Sequence, residues 1–350
     1  MRVAHVMAGA AQGGAEAFFE RLVTAQHRAG LSVLAVIRRE SGRAARLAAG
    51  GVAPVQLGFG GPLDLLTAPR LHAALRAFQP QVVVAWMNRA AGFCRKATGR
   101  DAGWALAGRL GGAYPLRHYA ACDLLAANTR GLCDWIAGQG WPRERLRHVP
   151  NFAADLRGAA PASLPFPPGA IPLLAMGRLH PNKDFPTLLR ALALLPAATH
   201  LALAGEGPER PALEALAREL GLGARIAFLG WRQDAGALLA ASRMLVVPSR
   251  IEPLGNVVLE GFSAARPVVA TAAEGPREVI EHGRTGLLVP VGDAPALAAA
   301  IAGLLEDPAR AAMLAEAGRE AFLAQHAEAP SLAAWSGFLD EAAARKRGHA

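Results

Sequence analysis

The sequence predicts an α/β protein built from two Rossmann-like domains that face a cleft. Three observations point there. Short apolar runs alternate with helical stretches along the whole chain, the pattern of parallel α/β sheets. The alternation breaks once, at residues 157–170, RGAAPASLPFPPGA, where four prolines disfavour helix and central strand alike. The chain has 350 residues, more than the ~250–300 at which a single core stops growing. The expected division is a first domain at 1–160, a second at 161–330 and a terminal helical stretch at 331–350, with 157–170 as the linker.

In the first half, Arg2–Met7 reads as a strand and Ala15–Arg28 as the helix after it. Ser32–Ile37, Ala53–Leu57, Gln81–Trp86, Leu124–Ala127 and Leu146–Val149 are the later strands. In the second half the strands are Ile171–Met176, His200–Ala204, Arg225–Leu229, Met244–Pro248, Pro267–Thr271 and Gly286–Val289. Pro186–Leu195, Pro208–Leu220, Ala235–Ala241, Asn256–Ala264 and Ala294–Leu305 are the helices between and after them, and Ala309–Gln325 and Ser331–Arg345 form a helical tail. Ligands of such sheets bind beyond the carboxyl ends of the strands.

Composition narrows the function classes. Hydrophobic residues make up 52% and charged residues 19%, so the chain can bury a large core. No run reaches the ~18 apolar residues of a membrane span, and the first residues read as a strand plus a Gly-rich loop rather than a signal peptide. Three cysteines, Cys94, Cys122 and Cys133, without a CxxC pair, speak against a disulfide framework or structural zinc and fit a reducing cytoplasm. The net charge is +9 and uneven: residues 1–160 hold 20 Lys and Arg against 9 Asp and Glu, residues 161–350 hold 17 against 19. The basic half would meet something anionic, such as phospholipid, a phosphorylated glycan or nucleic acid.

Two segments carry the chemistry. In Val246–Glu260, VVPSRIEPLGNVVLE, a strand gives way to a loop with Glu252, Pro253 and Gly255, and a helix starts near Asn256. Pro253 and Gly255 keep Glu252 on the loop, while Glu260 lies about one turn into the helix. Free N–H groups around Gly255–Val258 would bind a phosphate or a polarised hydroxyl, and carboxylates accept from vicinal hydroxyls. In Ala175–Phe185, AMGRLHPNKDF, a strand ends at Gly177 and Arg178 and Lys183 follow on a loop. Two cations at the carboxyl end of a strand suit a diphosphate leaving group. Taken singly, each segment also fits a plain surface loop.

Together the segments resemble the GT-B retaining glycosyltransferases of family 4, the glycosyl transferases group 1. GRLHPNKDFPTLLRAL, LALAGEGPERPALEALARELGL, ARIAFLG, EPLGNVVLEGFSAARPVVAT and EVIEHGRTGLLVPVGD follow the family pattern in order across residues 171–305. The resemblance implies that Glu252 contacts the transferred sugar and Glu260 the ribose of its nucleotide. Arg178 and Lys183 would hold the diphosphate, with Arg178, Lys183 and Glu252 as the catalytic set. Backbone at Gly255, Asn256, Val257 and Val258 would complete the donor site. Gly205 and Gly207 would line it, and Arg225–Gly230 would lie beside the base. Gly13–Gly14–Ala15–Glu16 is similar to the family's first Gly-rich loop, which brings Gly14 over the donor phosphates. CDLLAANTRGLCDWI and RLRHVPNF also fit, with Asn128 and Thr129 as helix caps. The terminal helix would pack back on the first domain.

The sequence departs from the family at one point. Many members carry a His followed by Gly after a mid-domain strand. Here the equivalent is Arg109–Leu110–Gly111–Gly112, with Leu110 in its place; His5, His118 and His148 do not fit the motif. There is also no D-x-D carboxylate pair for a divalent metal.

The expected function is sugar transfer from a nucleotide sugar, foremost a UDP-sugar, to a glycan or lipid-linked acceptor, in lipopolysaccharide or surface polysaccharide synthesis. No cofactor or metal is expected, and no nucleic acid. The location expected is the cytoplasm, with a peripheral contact to the anionic inner membrane. A nucleotide-sugar epimerase of the same fold, a glycosidase using Glu252 and Glu260, and a basic nucleic-acid-binding protein are the competing readings.

Overall fold

The computed structural model describes residues 1–347 apart from Gln12, Pro62 and 99–101. The last three residues of the expected 331–350 stretch therefore lie outside the described residues. The chain divides into two compact units, Met1–Asn151 with the stretch from Glu328 onward, and Phe152–Ala327. The division falls at Asn151 and not at 160, and the proline-rich stretch belongs to the second unit. Its prolines keep it out of helix and sheet, and Leu164 and Phe166, with Leu156 just before it, lay apolar side chains on that unit's core. Ala162 N–H donates to Ala237 O at 2.9 Å, so the segment is packed rather than a free tether. The second boundary falls at Ala327 and not at 330, for the helix of the tail begins at Glu328.

Unit 1 begins β1 (Arg2–Met7), α1 (Gly14–Arg28), β2 (Ser32–Arg38), α2 (Ser41–Ala49), β3 (Val55–Leu57) and α3 (Thr67–Phe78). It continues β4 (Val82–Trp86), α4 (Met87–Ala97), β5 (Ala105–Leu110), β6 (Leu124–Ala127), α5 (Arg130–Gly138) and β7 (Leu146–His148). The sheet is parallel, in the order β3-β2-β1-β4-β5-β6-β7. Buried on both faces, its strands are near-continuous apolar runs such as Val82–Trp86. One strand, β5, has no counterpart in the sequence reading: Gly108 and Arg109 interrupt the apolar run. Gly108 is required there, because a Cβ would press on the Tyr119 ring at 2.6 Å and on Leu125 at 2.7 Å. Thr129 caps α5 as expected, its Oγ accepting from Leu132 N–H at 3.2 Å.

Unit 2 runs β8 (Ile171–Met176), α6 (Phe185–Leu194), β9 (Thr199–Ala204), α7 (Arg210–Glu219), β10 (Ile226–Gly230) and α8 (Ala235–Ala241). It continues β11 (Met244–Val247), α9 (Asn256–Ser263), β12 (Val268–Thr271), α10 (Glu274–Val279), β13 (Leu287–Val289), α11 (Ala294–Glu306) and α12 (Pro308–Ala321). Its parallel sheet has the order β10-β9-β8-β11-β12-β13. The helix α13 (Glu328–Arg347) closes unit 1. Its Trp335 stacks on Trp86, ring centroids 6.0 Å apart and planes 12° from parallel. Such a pair contributes ~0.5–1.5 kcal/mol beyond the area it buries. Among the described residues no helix is long and apolar enough to cross a membrane.

Candidate active site

In unit 2 the strand order reverses between β8 and β11: β8 leads on to β9 on one side, β11 to β12 on the other. The loops leaving these two neighbours stand at the carboxyl edge beside this reversal, the place where doubly wound sheets take ligands. Arg178 and Lys183 lie on the first loop, Glu252 on the second.

The first loop is short and tightly built. Gly177 leaves β8 with φ +154°, Leu179 turns inward into the core, and one helical turn covers Pro181–Lys183. Asp184, at φ +49°, ends that turn, and Pro186 sits in the first turn of α6, where no N–H is needed.

The two loops are bound to each other at three points. The Asn182 carbonyl accepts from Arg250 N–H at 2.8 Å and from Ile251 N–H at 3.0 Å. Arg250 Nη2 pairs with the buried Asp184 carboxylate at 2.9 Å. Lys183 Nζ pairs with Glu252 Oε2, both side chains largely buried. The same Oε2 accepts from Ser249 Oγ at 3.1 Å. Thr271, buried at the end of β12, donates to the Ser249 carbonyl, and Gly275 N–H donates to the Glu252 carbonyl at 2.8 Å. The Glu252 carboxylate is thus fixed by a cation, a hydroxyl and its own backbone. Its Oε1 accepts no hydrogen bond among the described residues.

The structure therefore brings Lys183 and Glu252 into direct contact. Arg178 is exposed on the same loop and makes no ion pair among the described residues. Gly205 and Gly207 follow β9, and their role here is close backbone packing: a Cβ at Gly205 would run into the Gly177 carbonyl, one at Gly207 into the Leu179 backbone. Gly255 precedes α9 at φ +82°, and Asn256, Val257 and Val258 form the first turn. Glu260 lies in α9, half-buried, while Glu252 stays on the loop. One expectation is corrected here. The Val258 N–H donates to the Gly255 carbonyl at 2.8 Å, so it is not among the amides open to a ligand. The left-handed Gly255 folds its own carbonyl back onto that donor. Arg225 likewise spends its guanidinium on the carbonyls of Thr199, Leu192, Leu195 and Pro196.

Sequence reasoning missed Ser249, Thr271 and the Asp184–Arg250 pair. The signal available was Asp184–Phe185–Pro186, a helix start with an acid before it; the contact itself joins residues 66 apart.

Gly14 belongs to unit 1, as the first residue of α1. Glu16 in the same turn is buried, and its Oε1 accepts from Ala10 N–H at 2.8 Å. A Cβ at Gly9 or Gly13 would strike that carboxylate, which accounts for glycine at both positions. Near the carboxyl end of β1, His5 is fully buried. Trp86 Nε1 donates to its Nδ1 at 3.1 Å, which leaves the proton on Nε2, 2.7 Å from Gln26 Oε1. Burial lowers this imidazole from 6.5 to about 4, against the smaller opposite effect of Gln26. Arg109, near the end of β5, is buried between Trp86 and Phe18, at 5.0 and 5.5 Å from their ring centroids. Burial lowers its guanidinium to about 10. Among the described residues no three His, Cys, Asp or Glu side chains gather as metal ligands would.

Comparison with known proteins shows the family. Residues 171–307 match the family model described as glycosyl transferases group 1. The lipopolysaccharide core biosynthesis glycosyltransferase LpsE of Rhizobium meliloti (strain 1021) is 36% identical over 93% of this chain and 95% of its own length. The chain belongs to the group 1 glycosyltransferases. LpsD of the same organism, with the same description, is also 36% identical to this glycosyltransferase, over 99% of the chain and 100% of its own. Among solved structures, Anabaena Alr3699/HepE in complex with UDP and glucose is 21% identical, with a TM-score of 0.85 over 97% of this chain and 100% of that one. The lipopolysaccharide outer core galactosyltransferase WaaB, in its apo form, gives a TM-score of 0.77 at 17% identity, over 97% and 99%. At these identities the structures speak for the fold alone: this glycosyltransferase has the GT-B fold of two Rossmann-like units.

Proposed function

We propose that this glycosyltransferase moves a sugar from a nucleotide sugar, a UDP-sugar foremost, to a glycan of the lipopolysaccharide core, with retention of anomeric configuration. The observation that carries the reading is the Lys183–Glu252 pair across the topological switch of unit 2, which sets a cation and a carboxylate side by side at the carboxyl edge. The names of the two Rhizobium relatives support the acceptor class, and the UDP-glucose held by the Anabaena structure supports the donor class.

In this reading Lys183 turns from Glu252 to the diphosphate, joined by the exposed Arg178. Glu252 takes sugar hydroxyls on Oε1 while Ser249 keeps Oε2 in place. Glu260 takes the ribose. Gly205, Gly207, Gly255 and the turn Asn256–Val258 shape the floor. The acceptor oxygen bonds to the anomeric carbon as the bond from that carbon to phosphate oxygen breaks. The acceptor proton passes to a phosphate oxygen, so no protein base is called for. Charge growing on the departing diphosphate is met by Lys183 and Arg178, with no metal required. The basic unit 1 suits a peripheral contact with an anionic membrane that carries the acceptor.

A panel of UDP-, GDP- and ADP-sugars, read by thermal stabilisation of the purified protein, tests the donor class. Stabilisation by UDP-sugars above the other two is expected. Equal and negligible shifts throughout would overturn the reading, and release of an epimerised free sugar without acceptor would replace it.

A further inference from the structure

The described residues include three arginines that are more than nine-tenths buried. Arg43 pairs with Glu20 at 3.1 Å, and Arg319 pairs with Asp155 at 2.6 Å. Arg109 has no carboxylate within ion-pair distance among the described residues. Its Nη2 donates to Asn151 Oδ1 at 2.7 Å, and its Nη1 is buried without a hydrogen-bond partner. Trp86 and Phe18 flank the plane, so the charge is held in place by ring faces rather than by an acid. Glu16 is near enough to influence Arg109, yet its carboxylate is turned to the Ala10 amide.

An unpaired buried cation is costly to keep, and a buried donor left unmade calls for an explanation. Its position supplies one. Arg109 stands near the carboxyl end of β5, in the half of the chain with the large positive balance. Gly111, half-exposed and followed by Gly112, lies close beside Nη1. A Cβ at Gly111 would clash with Nη1, so glycine there leaves the space beside the guanidinium unfilled, and a small shift of this backbone would open Nη1 to a ligand. This is also where the family's His is replaced by Leu110.

We propose that Arg109 is an anion-binding residue of unit 1, taking a carboxylate or phosphate group of the acceptor on Nη1. The proposal rests on the reading that the chain transfers a sugar to a glycan of the lipopolysaccharide core. It makes the acceptor a glycan with an acidic sugar or a phosphorylated sugar close to the hydroxyl that is modified. Guanidinium suits both groups, and Asn151 sets the orientation of the fork.

The test uses the full chain as wild type, Lys183→Ala, Arg109→Met and Arg109→Lys, the arginine changes also in the Lys183→Ala background, titrated calorimetrically with inorganic phosphate, glucuronate and, as the neutral control, glucose. Lys183→Ala should still bind phosphate or glucuronate and should not bind glucose. The stronger of the two anions tells a phosphorylated from a carboxylate-bearing acceptor. Arg109→Met added to Lys183→Ala should weaken that binding by about 10- to 100-fold, with Arg109→Lys in the same background between. UDP binding separates the two ideas: it should survive Arg109→Met and fall in Lys183→Ala, and loss of the donor reading alone would leave the anion result standing. Should Arg109→Met not fold, the Arg109 side-chain nitrogen resonances of the wild type, assigned by their absence from Arg109→Lys, should move on anion titration. Undiminished anion binding by the folded double variant Lys183→Ala/Arg109→Met, or unmoved resonances at saturating anion, would overturn the proposal.

Discussion

Unit 1 and unit 2 wind their sheets in the same way, outward from a central pair of strands, β1 and β4 in one and β8 and β11 in the other. They finish their carboxyl edges by different means. Unit 2 uses backbone. Gly177, Gly205 and Gly207 let neighbouring loops approach to main-chain contact, and Asn182 ties the two switch loops through its carbonyl. Unit 1 uses large side chains. Trp86, Trp335, Phe18 and His5 fill the space near the strand ends, with the Arg109 guanidinium among them. A backbone-built edge holds cations and carboxylates at fixed spacing. A side-chain-built edge can bury a charge, and it depends on protonation.

The comparison breaks most readily at Gly205. Gly205→Ala would drive a Cβ into the Gly177 carbonyl at a φ of +155° and should destabilise unit 2 by about 3 kcal/mol or more. In unit 1, Gly30→Ala meets nothing within 4 Å at φ +87° and should cost only about 1 kcal/mol. Chemical denaturation of both variants reads the contrast; equal losses would remove it.

The next effect belongs to unit 1 and to pH. The folded His5 ionises at about 4, its unfolded form near 6.5. The unfolded chain therefore takes up the proton first as the solution is acidified. The stability in question is complete above pH 6.5 and drains away as pH falls toward 4, by about 3 kcal/mol over that window. Unfolding free energies of the wild type and His5→Gln from pH 7 to 4 check this. The variant should show the shallower slope.

The smallest effect is at the base of α13. Arg28 and Glu328 pair at 2.8 Å, but their side chains are 59% and 45% exposed. Arg28→Ala should therefore change stability by less than about 1 kcal/mol, since the Trp335 stack and not this pair holds the helix. Thermal melts suffice to see it.

The two edges also differ in how far they could be read from the sequence. Unit 2 is punctuated. Its strands stop at Gly177, Gly205 and Pro248, its helices start at Pro186 and Asn256, and these residue types have one backbone meaning each. The loop position of Glu252 followed directly from Pro253 and Gly255. What punctuation does not carry is partnership. Lys183 and Glu252 are 69 residues apart, and their contact depends on β8 and β11 being neighbours in the sheet. The Val258 amide was misjudged because its acceptor is the carbonyl of a left-handed glycine three residues back. In unit 1 the strand β5 was hidden by Gly108 and Arg109, residues chosen for what lies on the two faces of the sheet: the Tyr119 ring on one and the Trp86–Phe18 slot on the other. Local sequence records turns well and tertiary neighbours hardly at all.

The backbone-built edge of unit 2 is claimed to hold the departing diphosphate, and Lys183→Ala assayed for sugar transfer tests that most directly. With the fold intact by circular dichroism, turnover should fall by about 10²–10³, and Lys183→Arg should recover part of it. Turnover of Lys183→Ala within a few-fold of the wild type would contradict the account.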